Sequence, residues 1–95
     1  MLIFRIEQSE NDGYDTYDMA IVVACDEAHA KRIHPSGYGR VWCDSSDSWK
    51  EADGTWASLT GWAFSPDGVT AQRVGMVTGG VAKPGEVICA SFNAG

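Results

Sequence analysis

The sequence has few basic residues, and this shortage excludes several classes of binding protein. Seven Lys and Arg stand against 13 Asp and Glu in 95 residues, which gives a formal net charge of −6. General binders of DNA, RNA or anionic membranes neutralise phosphates with basic side chains, so no such binding is expected. The charge suits a cationic protein partner, or a small ligand held by a few local bases.

Cysteines are also scarce, and long apolar runs are absent. Cys25, Cys43 and Cys89 are odd in number and widely spaced, unlike the dense, even set of a small secreted protein. No run approaches the roughly 20 apolar residues of a membrane span. A charge already at Arg5 interrupts the apolar stretch of about 7–15 residues that a signal peptide needs. We therefore expect reduced thiols in a cytoplasmic protein that forms a single domain over residues 1–95.

The residues that are present predict an antiparallel sheet. Residues 2–7 alternate between apolar and more polar side chains, as in a half-buried strand. The apolar run 19–24 predicts a central strand covered on both faces, and the polar turn 9–18 would join the two as a hairpin. Residues 69–77 and 86–92 predict two further strands, the first with a bulge between Ala71 and Val74.

One short helix is predicted after the second strand. Asp26 can cap it, Glu27 lies in its first turn, and Pro35 closes it. Ala30 and Ile33, three residues apart, would form its buried stripe. Basic side chains in the last turn would complement the helix dipole: Lys31, Arg32 and His34. The predicted fold class is α+β, a mainly antiparallel sheet of about four strands with one short helix and an aromatic-rich irregular segment.

That irregular segment, residues 36–62, is rich in Gly, Ser and Asp, yet it holds all four tryptophans: Trp42, Trp49, Trp56 and Trp62. A strand is predicted near residues 40–43 and a helical turn near residues 56–59. At least two of the rings should fill the core of so small a domain. Aromatic rings in polar loops also suit a pocket for a planar ligand, and we weigh pocket and core equally for Trp42, Trp49 and Trp56. Arg40 and Lys50 flank the first two rings and could meet phosphates.

Two other constellations point to chemistry only weakly. Cys25, His29, His34 and Cys43 supply soft ligands, but no C-x-x-C pair accompanies them, so no metal site is predicted. Cys25 with His29 as its base would make a nucleophile, but no nucleophile elbow or phosphate-cradling glycine motif supports it. We predict no catalytic residue, no cofactor and no enzymatic activity.

An acidic stretch lies between the first two predicted strands. Five carboxylates fall within residues 7–18, where no Lys or Arg intervenes: Glu7, Glu10, Asp12, Asp15 and Asp18. Their spacing differs from that of a calcium loop, which places ligands at every second residue and adds a distal Glu. We interpret the stretch as a solvated hairpin end that could attract a cationic partner.

Three short motifs resemble those of a group of small uncharacterised bacteriophage proteins. They are Tyr14–Asp18 (YDTYD), Ile33–Pro35 (IHP) and Cys89–Gly95 (CASFNAG), while the tryptophan-rich middle matches less well. The resemblance implies an accessory phage protein in a host bacterial cytoplasm, where such proteins often act against host defences. Tyr14 and Tyr17 of the first motif complete the candidate ligand contacts.

Two functional hypotheses follow from these residues and from the resemblance. The first is a non-enzymatic protein that sequesters a small host molecule, a nucleotide immune signal, with the tryptophan segment as its site. The alternative is an inhibitor that presents its acidic surface to a host defence protein. A homo-oligomer with a pocket between two copies would suit a chain this small.

Overall fold

A computed structural model describes residues 1–11, 13–37, 39–51, 61–78, 80 and 82–93. Its elements, in chain order, are β1 (Leu2–Glu7), β2 (Thr16–Ala24), α1 (Glu27–Ala30), β3 (Val41–Cys43), β4 (Ser48–Lys50), a 3-10 turn (Pro66–Gly68), β5 (Thr70–Met76) and β6 (Val87–Asn93). Four strands form one antiparallel sheet in the order β5-β1-β2-β6, and β3 pairs with β4 in a separate hairpin. The predicted α+β class is confirmed.

The centre of the sheet is the predicted hairpin of β1 and β2. The two strands run antiparallel, with Phe4 opposite Val22 and Ile6 opposite Ala20. All four of these side chains are buried on the same sheet face, as the period-two alternation predicts. The opposite face is mixed, because exposed Arg5 lies there opposite half-buried Ile21. One sheet face is therefore the floor of the core.

The outer strands carry irregularities. β5 pairs with β1 so that Ile3 faces Gly75 and Phe4 faces Arg73, which leaves Val74 as an inserted residue. This confirms the predicted bulge in the first of the two C-terminal strands. β6 pairs with β2 and skips Ile88 in a similar way. Among the described residues, β5 and β6 are the two edges of the sheet.

The helix begins as predicted and ends earlier than predicted. Asp26 accepts a hydrogen bond from the His29 backbone N–H at 2.8 Å, so it is the N-cap. The predicted helix extended through Lys31, Arg32 and His34, and this was wrong, because α1 ends at Ala30. Residues 31–32 form a turn instead, and the chain then pairs with the residues before and within β3: the backbone N–H of Trp42 donates to the carbonyl of Arg32, and that of His34 to the carbonyl of Arg40. Tertiary pairing therefore replaces the last helical turn.

The core lies between the inner sheet face and the segment that follows β2. Its buried apolar members are Phe4, Ile6, Ala20, Val22, Ala24, Ala30, Ile33, Trp49, Trp62, Ala63 and Val69. Ala30 and Ile33 are both buried as predicted, although Ile33 lies beyond the end of α1. Trp49 and Trp62 are buried, in agreement with the expectation that at least two of the tryptophans fill the core. Within the described ranges, no helix combines the length and apolar character that crossing a membrane would require.

The aromatic segment contains more regular structure than the sequence predicts. The strand predicted near residues 40–43 is present as β3, but its partner β4 was not anticipated. The helical turn predicted near residues 56–59 lies outside the described residues, as does Trp56 itself. The β3–β4 hairpin carries Trp42 and Trp49, one on each strand.

Candidate functional site

The β3–β4 hairpin places two tryptophans opposite one another. Trp42 pairs with Trp49 in the strand register, and their ring centroids lie 5.2 Å apart in an edge-to-face contact. Trp49 is only 6% exposed, and its indole N–H donates to the carbonyl oxygen of Ala63 at 2.8 Å. Trp42 is half-buried. The hairpin thus anchors itself through one ring and presents the other near the surface.

These two rings begin a row of edge-to-face contacts that crosses the core. Trp49 meets His34 at 5.4 Å, His34 meets Tyr17 at 6.4 Å, and Tyr17 meets Phe92 at 4.7 Å, all between ring centroids. We call these five side chains the aromatic row. Its inner members are buried or half-buried, and each of its end members, Trp42 and Phe92, lines a cavity. Ligand access is therefore concentrated at the two ends.

The cavity at one end, which we call the Trp42 cavity, has a volume of about 370 Å³. Its lining consists of Arg32, Trp42, Asp44, Asp47, Ser65, Pro66 and Asp67. The two terminal nitrogens of Arg32 each donate to one carboxylate oxygen of Asp44 at 3.0 Å, a forked ion pair. These hydrogen bonds lower the pKa of Asp44 from its ordinary value. Because Asp44 already balances the charge of Arg32, the carboxylates of Asp47 and Asp67 give the cavity a net negative charge.

The cavity at the other end, the Phe92 cavity, has a volume of about 410 Å³ and a largely neutral polar lining. Gln8, Thr16, Asp18, Ser91, Phe92 and Asn93 form its walls. The Gln8 side chain donates to the carbonyl oxygens of Tyr17 and Asn11, each at 2.7 Å. The Thr16 hydroxyl donates to the carbonyl oxygen of Gly13 at 2.6 Å. Several wall groups therefore hold the turn between β1 and β2 in place.

A third cavity, of about 480 Å³, lies at the acidic end of the sheet. Arg5, Glu7, Gln8, Ser9, Asp18, Met19, Gly68 and Thr70 line it. Arg5 and Glu7 form an ion pair between half-exposed side chains. The nearby Glu10 carboxylate accepts a hydrogen bond from the Phe64 backbone N–H at 3.0 Å. The acidic stretch is thus partly tied to the 3-10 region, and Asp15 and Asp18 remain exposed.

The remaining predicted ligand contacts are spread over the molecule. The Arg40 guanidinium donates to Glu51 at 2.8 Å and to the Ser36 carbonyl oxygen at 3.1 Å, so it is committed inside its own loop. Lys50 is half-buried on β4 opposite Val41, and Tyr14 is 77% exposed. Of the predicted ligand contacts that the structure describes, only Trp42 lines the Trp42 cavity.

The site residues that sequence analysis missed are the cavity carboxylates Asp47 and Asp67, and Phe92. The Asp-Ser-Ser-Asp turn directly after Cys43 was the available indication for Asp47. Asp67 is distant from Trp42 in sequence, within the 3-10 turn, and no local pattern connects the two. These acids set the electrostatic character of the cavity.

The candidate nucleophile pair is arranged differently from a catalytic dyad. His29 uses its Nδ1 atom to accept a hydrogen bond from the backbone N–H of Cys25 at 3.0 Å, at the start of the helix. Cys25, Cys43 and Cys89 are separate free thiols. In the described part of the chain, no three His, Cys, Asp or Glu side chains gather as metal ligands would.

Cys43, next to Trp42, has unusual acidity for a thiol. Its sulfur lies 3.2 Å from the Ser45 hydroxyl oxygen. The hydrogen bond from Ser45, followed by those from Ser46, lowers the pKa of Cys43 to about 7. A thiol with this pKa is substantially ionised at neutral pH and reacts readily with alkylating reagents.

Comparison with protein-family models, with curated proteins and with solved structures finds no match. The aromatic row with its two end cavities is the candidate site.

Proposed function

We propose that this chain is a non-enzymatic binding protein that sequesters a small nucleotide-type ligand, with the base of the ligand held in the Trp42 cavity. The observation that carries the proposal is a half-buried indole ring in the wall of a 370 Å³ cavity beside two carboxylates. Ligand pockets in proteins typically range from about 300 to 1,000 Å³. Stacking of one base on an aromatic side chain contributes about 1–3 kcal/mol.

The polar groups of the cavity suit the base better than the phosphate. Asp47 and Asp67 can accept hydrogen bonds from the amino and ring N–H groups of a purine or pyrimidine. A phosphate in the same cavity would be repelled by those carboxylates. The Arg32 guanidinium does not offset this repulsion, because both of its terminal nitrogens already donate to Asp44. The ligand would therefore enter base first, with its phosphates directed towards solvent.

The described lining of the Trp42 cavity contains a tryptophan, a paired arginine, carboxylates, a serine and a proline. Sequestration without turnover belongs to the proposal, and chromatography of the bound probe tests it. The resemblance to phage proteins adds the biological context of the proposal. In that context the ligand is a nucleotide immune signal of the host, and its removal from solution counters host defence.

Tryptophan fluorescence offers a direct test with four probes: adenosine, guanosine and their 5′-monophosphates. We expect at least one base to quench the fluorescence, with similar affinity for nucleoside and monophosphate because the phosphate is not held. Trp42→Ala should weaken binding by about tenfold or more, which corresponds to the loss of one stacking contact. Isothermal titration of the same variant would exclude a purely optical effect, since Trp42 is itself a fluorophore.

Matched variants separate the site from a general effect on the protein. Tyr14→Ala removes a similarly large ring at a position 77% exposed, and it should leave binding unchanged. Asp47→Asn and Asp67→Asn should change which base binds best, because an amide can donate as well as accept hydrogen bonds. The proposal fails if none of the four probes binds, if Trp42→Ala binds as well as the wild type, or if chromatography shows the bound probe converted to product.

The ion pairs formed by the Lys and Arg side chains favour a second candidate function. In it, the acidic surface of the chain inhibits a host protein. Four of the seven basic side chains, Arg5, Lys31, Arg32 and Arg40, are paired with neighbouring acids. Exposed carboxylates such as Asp15 and Asp18 have no such partner among the described residues. A basic protein surface could provide their counter-charge.

For this candidate function we predict that the affinity for any host defence protein that the chain captures depends strongly on salt concentration. Raising the salt concentration should slow association by about tenfold or more, with a smaller change in dissociation. Asp15→Asn with Asp18→Asn should imitate high salt, and Asn accepts the left-handed backbone of Asp15 (φ 60°) without added strain. An association rate that ignores both changes would remove the acidic surface from the interface.

A further inference from the structure

The outer edge of β6 is unprotected in a way that the other edge of the sheet is not. β6 spans Val87–Asn93 and contains no charged residue, in a chain with a net charge of −6. Natural edge strands are usually protected by charges, prolines or bulges. β5, at the opposite edge, carries Arg73 and a bulge at Val74 in its middle. The irregularity of β6 itself lies near its beginning, at Ile88; the second register shift of this pair inserts Asp18 into β2 opposite Ser91 and Phe92, so residues 89–93 of β6 contain no inserted residue.

The direction of the backbone groups along this edge follows from the pairing. The carbonyl oxygen of Asn93 accepts a hydrogen bond from the backbone N–H of Asp15, on the β2 side. Because backbone groups alternate along a strand, those of Cys89 and Ser91 also face β2. Those of Ala90 and Phe92 face outwards, where β6 has no neighbouring strand among the described residues. The exposed edge therefore offers unpaired donors and acceptors at every second residue.

We propose that two copies of the chain pair antiparallel through β6, with a two-fold axis beside Ala90. In this register Ala90 faces Ala90 of the second copy, and Phe92 lies closest to Ile88, the residue inserted at the β6 bulge. These two apolar side chains are 44% and 53% exposed in the single chain, so each would cover the other. Apolar cross-strand pairs of this kind stabilise a sheet, and the register satisfies the outward backbone groups. The two sheets would become one sheet of eight strands.

Symmetry makes this register specific. A two-fold axis one step away in either direction would place Ala90 opposite Ile88 or opposite Phe92, and the two large apolar side chains would no longer meet. An isologous contact also closes on itself, so it gives a dimer rather than a fibre. The opposite ends of the two strands then meet, which brings the beginning of β6 in the second copy beside the Phe92 cavity. That cavity would lie between the two chains.

This inference does not depend on the proposed function, and an engineered disulfide tests it directly. Ala90→Cys would be made in a background where all three native cysteines are serine. Directly opposed residues of a hydrogen-bonded antiparallel pair have Cα atoms about 5.5 Å apart, within the range of disulfides. In a glutathione redox buffer most chains should form a covalent dimer. Val74→Cys, 52% exposed on the β5 edge, is the matched control and should form no covalent dimer.

A second pair of variants tests the contact without cross-linking. Ala90→Lys places two like charges on the axis, and it should raise the dimer dissociation constant in sedimentation equilibrium by about tenfold or more. Val74→Lys should leave the dissociation constant unchanged. If the circular dichroism spectrum shows that Ala90→Lys is unfolded, the comparison of Ala90→Cys with Val74→Cys is the deciding test. A monomeric wild type, or Ala90→Cys chains that cross-link no faster than Val74→Cys chains, would overturn the proposal.

Discussion

Trp49→Ala should destabilise the fold more than any other aromatic truncation in the β3–β4 hairpin. The ring is 6% exposed, contacts both Trp42 and His34, and gives its N–H to the carbonyl oxygen of Ala63. Truncation of a buried tryptophan costs about 3–5 kcal/mol. A domain of this length has a total stability near the low end of about 5–15 kcal/mol. We expect urea unfolding at 25 °C to show the loss of more than half of the free energy of unfolding.

Two companion variants show which part of the ring matters. Trp49→Phe keeps an aromatic ring but leaves the Ala63 carbonyl without its donor, so it should cost about 2 kcal/mol. Trp42→Ala removes the half-buried ring of the same hairpin and should cost less than Trp49→Ala, because more of its surface already contacts water. Equal losses for Trp49→Ala and Trp42→Ala would mean that the two rings share one role, and the division between anchor and site would be wrong.

That division could not be drawn from the sequence, although the tryptophans themselves were recognised as core or pocket. Trp42 and Trp49 stand in similar surroundings of Ser, Asp and Gly. What separates them is the hairpin, in which strands of three residues each are too short to show a periodic pattern. The Asp67 carboxylate comes from a distant turn, and such proximity has no local trace.

The sheet, by contrast, was largely predictable because its strands are long. β1 alternates over six residues and β2 carries an uninterrupted apolar run, so periodicity fixes both the strands and their buried faces. The end of the helix was not predictable from capping and charge alone. His34 looked like a basic residue of a last turn, but it is fully buried between Tyr17 and Trp49. At His34, tertiary packing therefore outweighs the local preference for a helix.

Gly61→Ala should produce the second large loss of stability, through a backbone contact rather than a side chain. Gly61 has φ +82°, and its carbonyl oxygen accepts a hydrogen bond from the Tyr17 backbone N–H at 2.7 Å. A Cβ atom at this position would lie 2.8 Å from the carbonyl oxygen of Asp15, which is too close to persist. Asp15 belongs to the turn between β1 and β2, so relief requires the two chain segments to separate and the hydrogen bond to weaken.

Gly80→Ala is the matched control that isolates this close approach. Gly80 also has a positive φ, +69°, but a Cβ atom there would meet nothing within 4 Å. Both substitutions incur the left-handed penalty of about 1–2 kcal/mol. Only Gly61→Ala should add the overpacking cost of about 1–3 kcal/mol. The free energies of unfolding of the two variants, measured with denaturant, should therefore differ by about 1–3 kcal/mol. Because the clash lies at the turn beside the Phe92 cavity, hydrogen exchange in Gly61→Ala should accelerate first at the Tyr17 amide. Equal unfolding free energies for the two variants would show that Gly61 is required for its backbone angle alone.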